Sequence, residues 1–130
     1  MITVLPSAAM DGAENVVLVA ATTSPRLTSW IAGIVVAIAS NLVNNLPMGL
    51  IAATTSQIAQ VPIHVTGAIL IGVDLGPNLS VTGSLATILW LIALRREGEH
   101  VGAARFLKLG LAVMPPALLL SLLALSAVSR

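Results

Sequence analysis

Asp74 is the only acidic residue between Glu14 and Glu97, and it stands inside a segment built almost wholly from apolar side chains. Ordinary soluble domains are about a quarter charged; here 57% of the 130 residues are hydrophobic and 8% are charged. A disordered chain is poor in apolar residues, so disorder is excluded. Six basic against five acidic residues give a net charge of +1, without the basic cluster that a nucleic-acid surface needs. The absence of cysteine removes disulfides, zinc–thiolate sites and thiol nucleophiles. No nucleophile–base pair, phosphate loop or metal-ligand cluster is visible, and the chain reads as neither an enzyme nor a cofactor protein. What remains is an integral, all-α membrane protein with lipid as its first partner.

Residues 1–26 lack the basic n-region of a secretory signal and read as an irregular lead-in or a truncated element. The transporter-like unit then occupies residues 27–130. Its first apolar run, Trp30 to Val43, ends in Asn44-Asn45-Leu46-Pro47, and a second, Met48 to Ala59, follows at once. Fourteen helical residues rise only about 21 Å against a hydrocarbon core of about 30 Å, so neither piece crosses alone. Joined as one helix they would hold two asparagines and a proline at mid-membrane. Two half-helices meeting at a polar tip solve this, giving a re-entrant hairpin over residues 30–59. Pro47 then falls in the first turn of the second arm, where its missing N–H costs nothing. Irregular backbone at that depth must face protein or a water-filled cavity.

A second interruption lies inside the span read over residues 61–94. Val61 to Val73 is apolar, Asp74-Leu75-Gly76-Pro77-Asn78-Leu79-Ser80 breaks it, and Val81 to Leu94 resumes. Gly76 and Pro77 stop the first half, and Asn78 or Ser80 is the expected cap of the second. The facing helix ends then point their dipoles into one small space. The pairs Gly72/Gly76 and Ser80/Ser84 have the four-residue spacing that lets helices approach closely. The connector over residues 95–105, with Arg95, Arg96 and Arg105, precedes Lys108, and this basic cluster is placed in the cytoplasm by the positive-inside rule. Residues 106–128 form the last span, kinked at Pro115-Pro116. With that orientation the hairpin enters from the outer face.

A carboxylate at the depth of Asp74 is costly unless it faces a polar cavity, binds a cation or takes up a proton. It is read as a coupling site for protons or cations, against the plainer reading of a helix cap or the partner of a distant base. Asn44 and Asn45 offer amide donors and acceptors at the hairpin tip. Asn78, Ser80, Thr82 and Ser84 offer side-chain oxygens at the second break, although hydroxyls in membrane helices often bond back to their own backbone. Trp30 and Trp90 read as interface anchors and His64 as an interfacial histidine.

Asn44-Asn45-Leu46-Pro47, together with the run IGVDLGPNLSVTGSLATILW from Ile71 to Trp90, resembles the arsenical pump membrane proteins of the ion transporter superfamily. The resemblance covers roughly residues 28–128 and corresponds to a C-terminal portion of that family. It implies half of an inverted-repeat transporter: a re-entrant hairpin, a broken transmembrane helix and a final kinked helix. It implies efflux of arsenite or antimonite across the inner membrane by a multi-pass protein, driven by protons or the membrane potential. A missing N-terminal half and a soluble arsenite-stimulated ATPase are the implied partners. Asn44, Asn45 and Pro47 match the hairpin motif, and Asp74, Gly76, Asn78, Thr82, Gly83 and Ser84 match the broken-helix motif. Two other readings stand beside it: a sodium/proton antiporter or carboxylate carrier of the same superfamily, and a truncated fragment that does not transport.

Overall fold

The structure, a computed structural model, describes residues 23–128. Five α-helices follow in order: α1 Pro25–Val43, α2 Asn45–Ile58, α3 Ile63–Leu75, α4 Leu85–Arg96 and α5 Ala103–Val128, with two 3-10 turns between α3 and α4. Among the described residues there is no strand. Residues 1–22 of the expected lead-in lie outside the described residues, while its last two, Pro25 and Arg26, belong to α1.

The first hairpin arm therefore starts earlier than the apolar pattern implies. Pro25 opens α1 in its first turn, a position pre-organised by the fixed φ of proline. The hydroxyls of Thr28 and Ser29 donate to the carbonyls of Ser24 and Pro25, at 3.0 and 2.9 Å. Polar residues that look like a loop are thus absorbed into the helix. With 19 residues, α1 is long and apolar enough to cross a membrane, as is the 26-residue α5. The first arm, expected as 14 residues, is a helix of 19 that rises about 28 Å, close to the hydrocarbon thickness. The second arm, α2, keeps 14 residues and rises about 21 Å.

Contacts along the helices fix their directions. Gly33 lies against Ala68, Ala37 against both Gly72 and Gly76, and Ser40 against Gly76, so α1 and α3 run parallel. Gly49 lies beside Val73, while Gln57 and Thr66 share the far end of one groove, so α2 returns antiparallel to both. The chain reverses at Asn44, whose φ of 86° is tolerated better by asparagine than by most residues. The Asn44 Oδ1 accepts from the Leu46 N–H at 3.4 Å and caps α2. Pro47 falls in the first turn of α2, as its chemistry demands. On α5, Gly110 meets Leu79 and Leu125 meets Gly67, so this helix descends past α3 in the opposite sense.

Small residues make these approaches possible. A Cβ added at Gly72 would lie 2.5 Å from the Gly33 carbonyl oxygen and 3.0 Å from the Ala37 nitrogen. The Ser40 hydroxyl is buried between the carbonyls of Ala37 and Gly72, at 3.2 and 3.1 Å. Without a hydrophobic drive between helices in lipid, such close van der Waals contact and interhelical hydrogen bonding hold them together. Ala37, Ala68, Met114, Leu118 and Leu122 form the core of the bundle, and Trp30 packs on it with its Nε1–H donating to Ser126 Oγ at 3.1 Å. Trp30 thus joins the start of α1 to the end of α5. The outer surface is apolar: Ile63, Leu42 and Leu120 are 84%, 77% and 66% exposed, which suits lipid. The fold is that of an all-α membrane protein.

Candidate functional site

The interruption between α3 and α4 is longer and more irregular than a simple gap. Gly76–Leu79 continues from α3 as a 3-10 turn, Ser80 is extended, Val81–Gly83 forms a second 3-10 turn, and Ser84 is extended again. Gly76 keeps a helical backbone (φ −52°, ψ −48°), so the chain tightens there instead of stopping. The cap of α4 is Ser84, whose Oγ accepts from the Ala86 N–H at 3.2 Å; neither Asn78 nor Ser80 serves in that role. The Asn78 Nδ2 instead donates to the Asp74 carbonyl at 3.0 Å, satisfying an acceptor at the end of α3.

Three side chains converge where α1 meets this break. The Ser80 Oγ–H donates to Asn41 Oδ1 at 2.7 Å, and Ser80 Oγ lies 3.1 Å from Thr82 Oγ1. A hydroxyl has one proton, so Thr82 donates to Ser80 while Ser80 donates to Asn41. Gly83 closes the cluster. A Cβ there would strike the Pro77 carbonyl and lie 2.7 Å from Asn41 Oδ1. Gly76 is enclosed in the same way by Ala37 and Ser40. The break is therefore clamped to the C-terminal third of α1.

Of the residues expected at the site, Asp74, Gly76, Asn78, Ser80, Thr82, Gly83 and Ser84 share this break. Gly76, Gly83 and Ser84 are buried in it, and Ser80 is half-buried. Asp74, Asn78 and Thr82 are exposed. Asp74 lies on the side of α3 that carries the exposed Leu70, turned away from α1, and Asn78 follows four residues later in the first 3-10 turn. Asn44 lies between α1 and α2, and Asn45 and Pro47 in the first turn of α2. Among the described residues, no hydrogen bond joins Asn44 or Asn45 to the break. The residue that makes that link is Asn41, which the sequence reading missed. Its signal was its place four residues after Ala37 and eight after Gly33, on the small-residue side of α1. His64 also differs from an ordinary interfacial histidine: its Nε2 is buried without a hydrogen-bond partner.

The break thus exposes one carboxylate, one carboxamide and one hydroxyl, next to the Asn41–Ser80–Thr82 cluster, within an apolar bundle. A family model described as arsenical pump membrane protein matches residues 3–128, so the match starts well before residue 28. An arsenical pump membrane protein of Escherichia coli is 34% identical over 72% of this chain and 23% of its own length. Proteins of the same description from Yersinia enterocolitica and Escherichia coli strain K12 are 32% and 31% identical over the same shares. The chain spans about a quarter of the length of these relatives (23% of each). No solved structure matches it. The family match over nearly all of the chain, on a fold of apolar helices parted by polar breaks, establishes that this chain belongs to the arsenical pump membrane protein family.

Proposed function

We propose that the chain forms the C-terminal, solute-handling part of an efflux transporter for arsenite and antimonite in the inner membrane. The observation that carries the proposal is the exposure of Asp74, Asn78 and Thr82 at one helix break in a chain of the arsenical pump family. Trivalent arsenic in water is an uncharged trihydroxide, which gives and accepts hydrogen bonds through its oxygens. The Asn78 carboxamide and the Thr82 hydroxyl supply complementary donors and acceptors, and the cysteine-free chain recognises the solute without As–S bonds. Asp74 takes up and releases the proton, or balances the charge, that couples transport to the proton gradient or membrane potential.

A carboxylate on a lipid-facing helix costs about 2.5–3.5 kcal/mol on insertion scales, and more by other treatments. In the membrane, then, the face that carries Asp74 is covered by further protein or lines a water-filled cavity. In our reading the N-terminal half of a complete pump supplies that cover, the hairpin enters from the outer face, and a soluble arsenite-stimulated ATPase docks on the cytoplasmic side. The reaction is solute transfer, with no bond chemistry asked of any side chain.

A chimera tests this reading: residues 23–128 replace the matching segment of a complete arsenical pump, in cells that lack their own. The expected result is restored exclusion of arsenite and antimonite with no gain in sodium tolerance. A chimera that restores sodium tolerance and leaves arsenite accumulation unchanged would overturn the reading in favour of an antiporter.

A further inference from the structure

The hydrogen bonds at the break run in one direction. Thr82 is exposed, while Ser80 and Asn41 are half-buried, so the chain of polar groups leads from the surface toward α1. Its inner end is a carboxamide oxygen, which accepts from the Ser80 Oγ–H at 2.7 Å. That oxygen can only accept, and Ser80 has one proton to give. Ser80 therefore meets Thr82, at 3.1 Å, as an acceptor, and the Thr82 proton points inward. What Thr82 turns outward is its lone pairs.

Backbone contacts hold each member in place. Ser40, one residue before Asn41, is buried and donates to the Ala37 and Gly72 carbonyls, which fixes α1 against α3 at this level. The Gly83 N–H donates to the Ser80 carbonyl at 3.2 Å, which closes the second 3-10 turn and keeps Thr82 beside Ser80. Asn41 Oδ1 lies 2.7 Å from the point where a Cβ of residue 83 would stand, and glycine leaves that space to it.

We infer that Asn41 is a positioning residue that sets specificity: through Ser80 it holds the Thr82 hydroxyl as a hydrogen-bond acceptor toward the solute. The inference rests on the reading that this break handles the solute. A solute that satisfies such an acceptor must bring an O–H, as an uncharged oxyacid does. A fully deprotonated oxyanion would set its own lone pairs against those of Thr82. Without the Asn41 oxygen, the Ser80 proton turns to Thr82, the Thr82 proton turns outward, and the preset acceptor is lost.

Arsenite uptake into energised everted membrane vesicles tests this, with a complete pump that carries the full chain in place of its own matching segment. Asn41→Leu should raise KM for arsenite about threefold to tenfold, the range for one hydrogen bond to an uncharged partner, with a smaller change in maximal rate. Thr82→Val should raise KM by a similar factor. In the Thr82→Val background, Asn41→Leu should add less than about twofold, because no hydroxyl is left to orient. Asn41→Asp retains the accepting oxygen and should return KM toward the unaltered value. Effects of the two substitutions that simply multiply would mark Asn41 as a structural residue and overturn the inference. So would Asn41→Asp behaving like Asn41→Leu, because Asn41 would then act as a donor. An unaltered chimera without arsenite uptake overturns the transport reading and this inference with it, whereas uptake with multiplying effects overturns the inference alone.

Discussion

Gly76→Val should collapse the packing of α3 on α1 and lower the stability of the folded bundle by about 3 kcal/mol or more. The added Cβ would strike the carbonyl of Ala37 and lie 2.6 Å from both the Ala37 Cα and the Ser40 Oγ. Two of those atoms are backbone, so no side-chain rotation relieves the contact, and the helices must part. Separation of α1 from α3 would also break the Ser40 hydrogen bond to the Gly72 carbonyl and pull Asn41 from Ser80. Gly102→Ala is the matched control: its Cβ meets nothing within 4 Å, and the change should stay within about 0.5 kcal/mol. Thermal unfolding in detergent, followed by circular dichroism, measures both. Equal melting temperatures for the two variants would contradict the close approach.

Asp74→Asn should reduce arsenite tolerance in the chimera to that of cells without a pump, with membrane protein levels unchanged. The substitution keeps the shape and one oxygen acceptor but removes the group that carries charge or a proton. The Asn78 Nδ2 bonds the Asp74 backbone carbonyl and not its carboxylate, so the local turn has no stake in the side chain. Asp74 is exposed on the bundle, which removes core packing as an alternative cause of the loss. Asp74→Glu, which retains the carboxylate, should keep part of the tolerance. Full tolerance with Asp74→Asn would place coupling elsewhere.

The two breaks were readable in the sequence because proline, glycine and asparagine have few excuses inside an apolar run. Asn44-Asn45-Leu46-Pro47 and Gly76-Pro77-Asn78 both mark real interruptions. The start of α1 was not readable, since Arg26, Thr28 and Ser29 look like loop residues until their local helix bonds are seen. The cap of α4 was misplaced for a related reason: Asn78, Ser80 and Ser84 all have capping chemistry, and only the second 3-10 turn decides which one stands at the helix start. Asn41 and the Trp30–Ser126 bond join residues 39 and 96 positions apart, and no local pattern specifies such partners. The small-residue spacing of Gly72 and Gly76 did foretell a close helix contact, though not that α1 would be the partner.

The central claim is that the α3–α4 break is clamped to the end of α1, and a chain without cysteine allows a clean test of it. Asn41→Cys combined with Ser80→Cys places two thiols where the native side chains touch at 2.7 Å, within reach of a disulfide. Asn41→Cys with Gln57→Cys puts the second thiol at the opposite end of α2. Mild oxidation in native membranes should link the first pair within a single chain and leave the second pair free. A link between positions 41 and 57 with none between 41 and 80 would contradict the clamp.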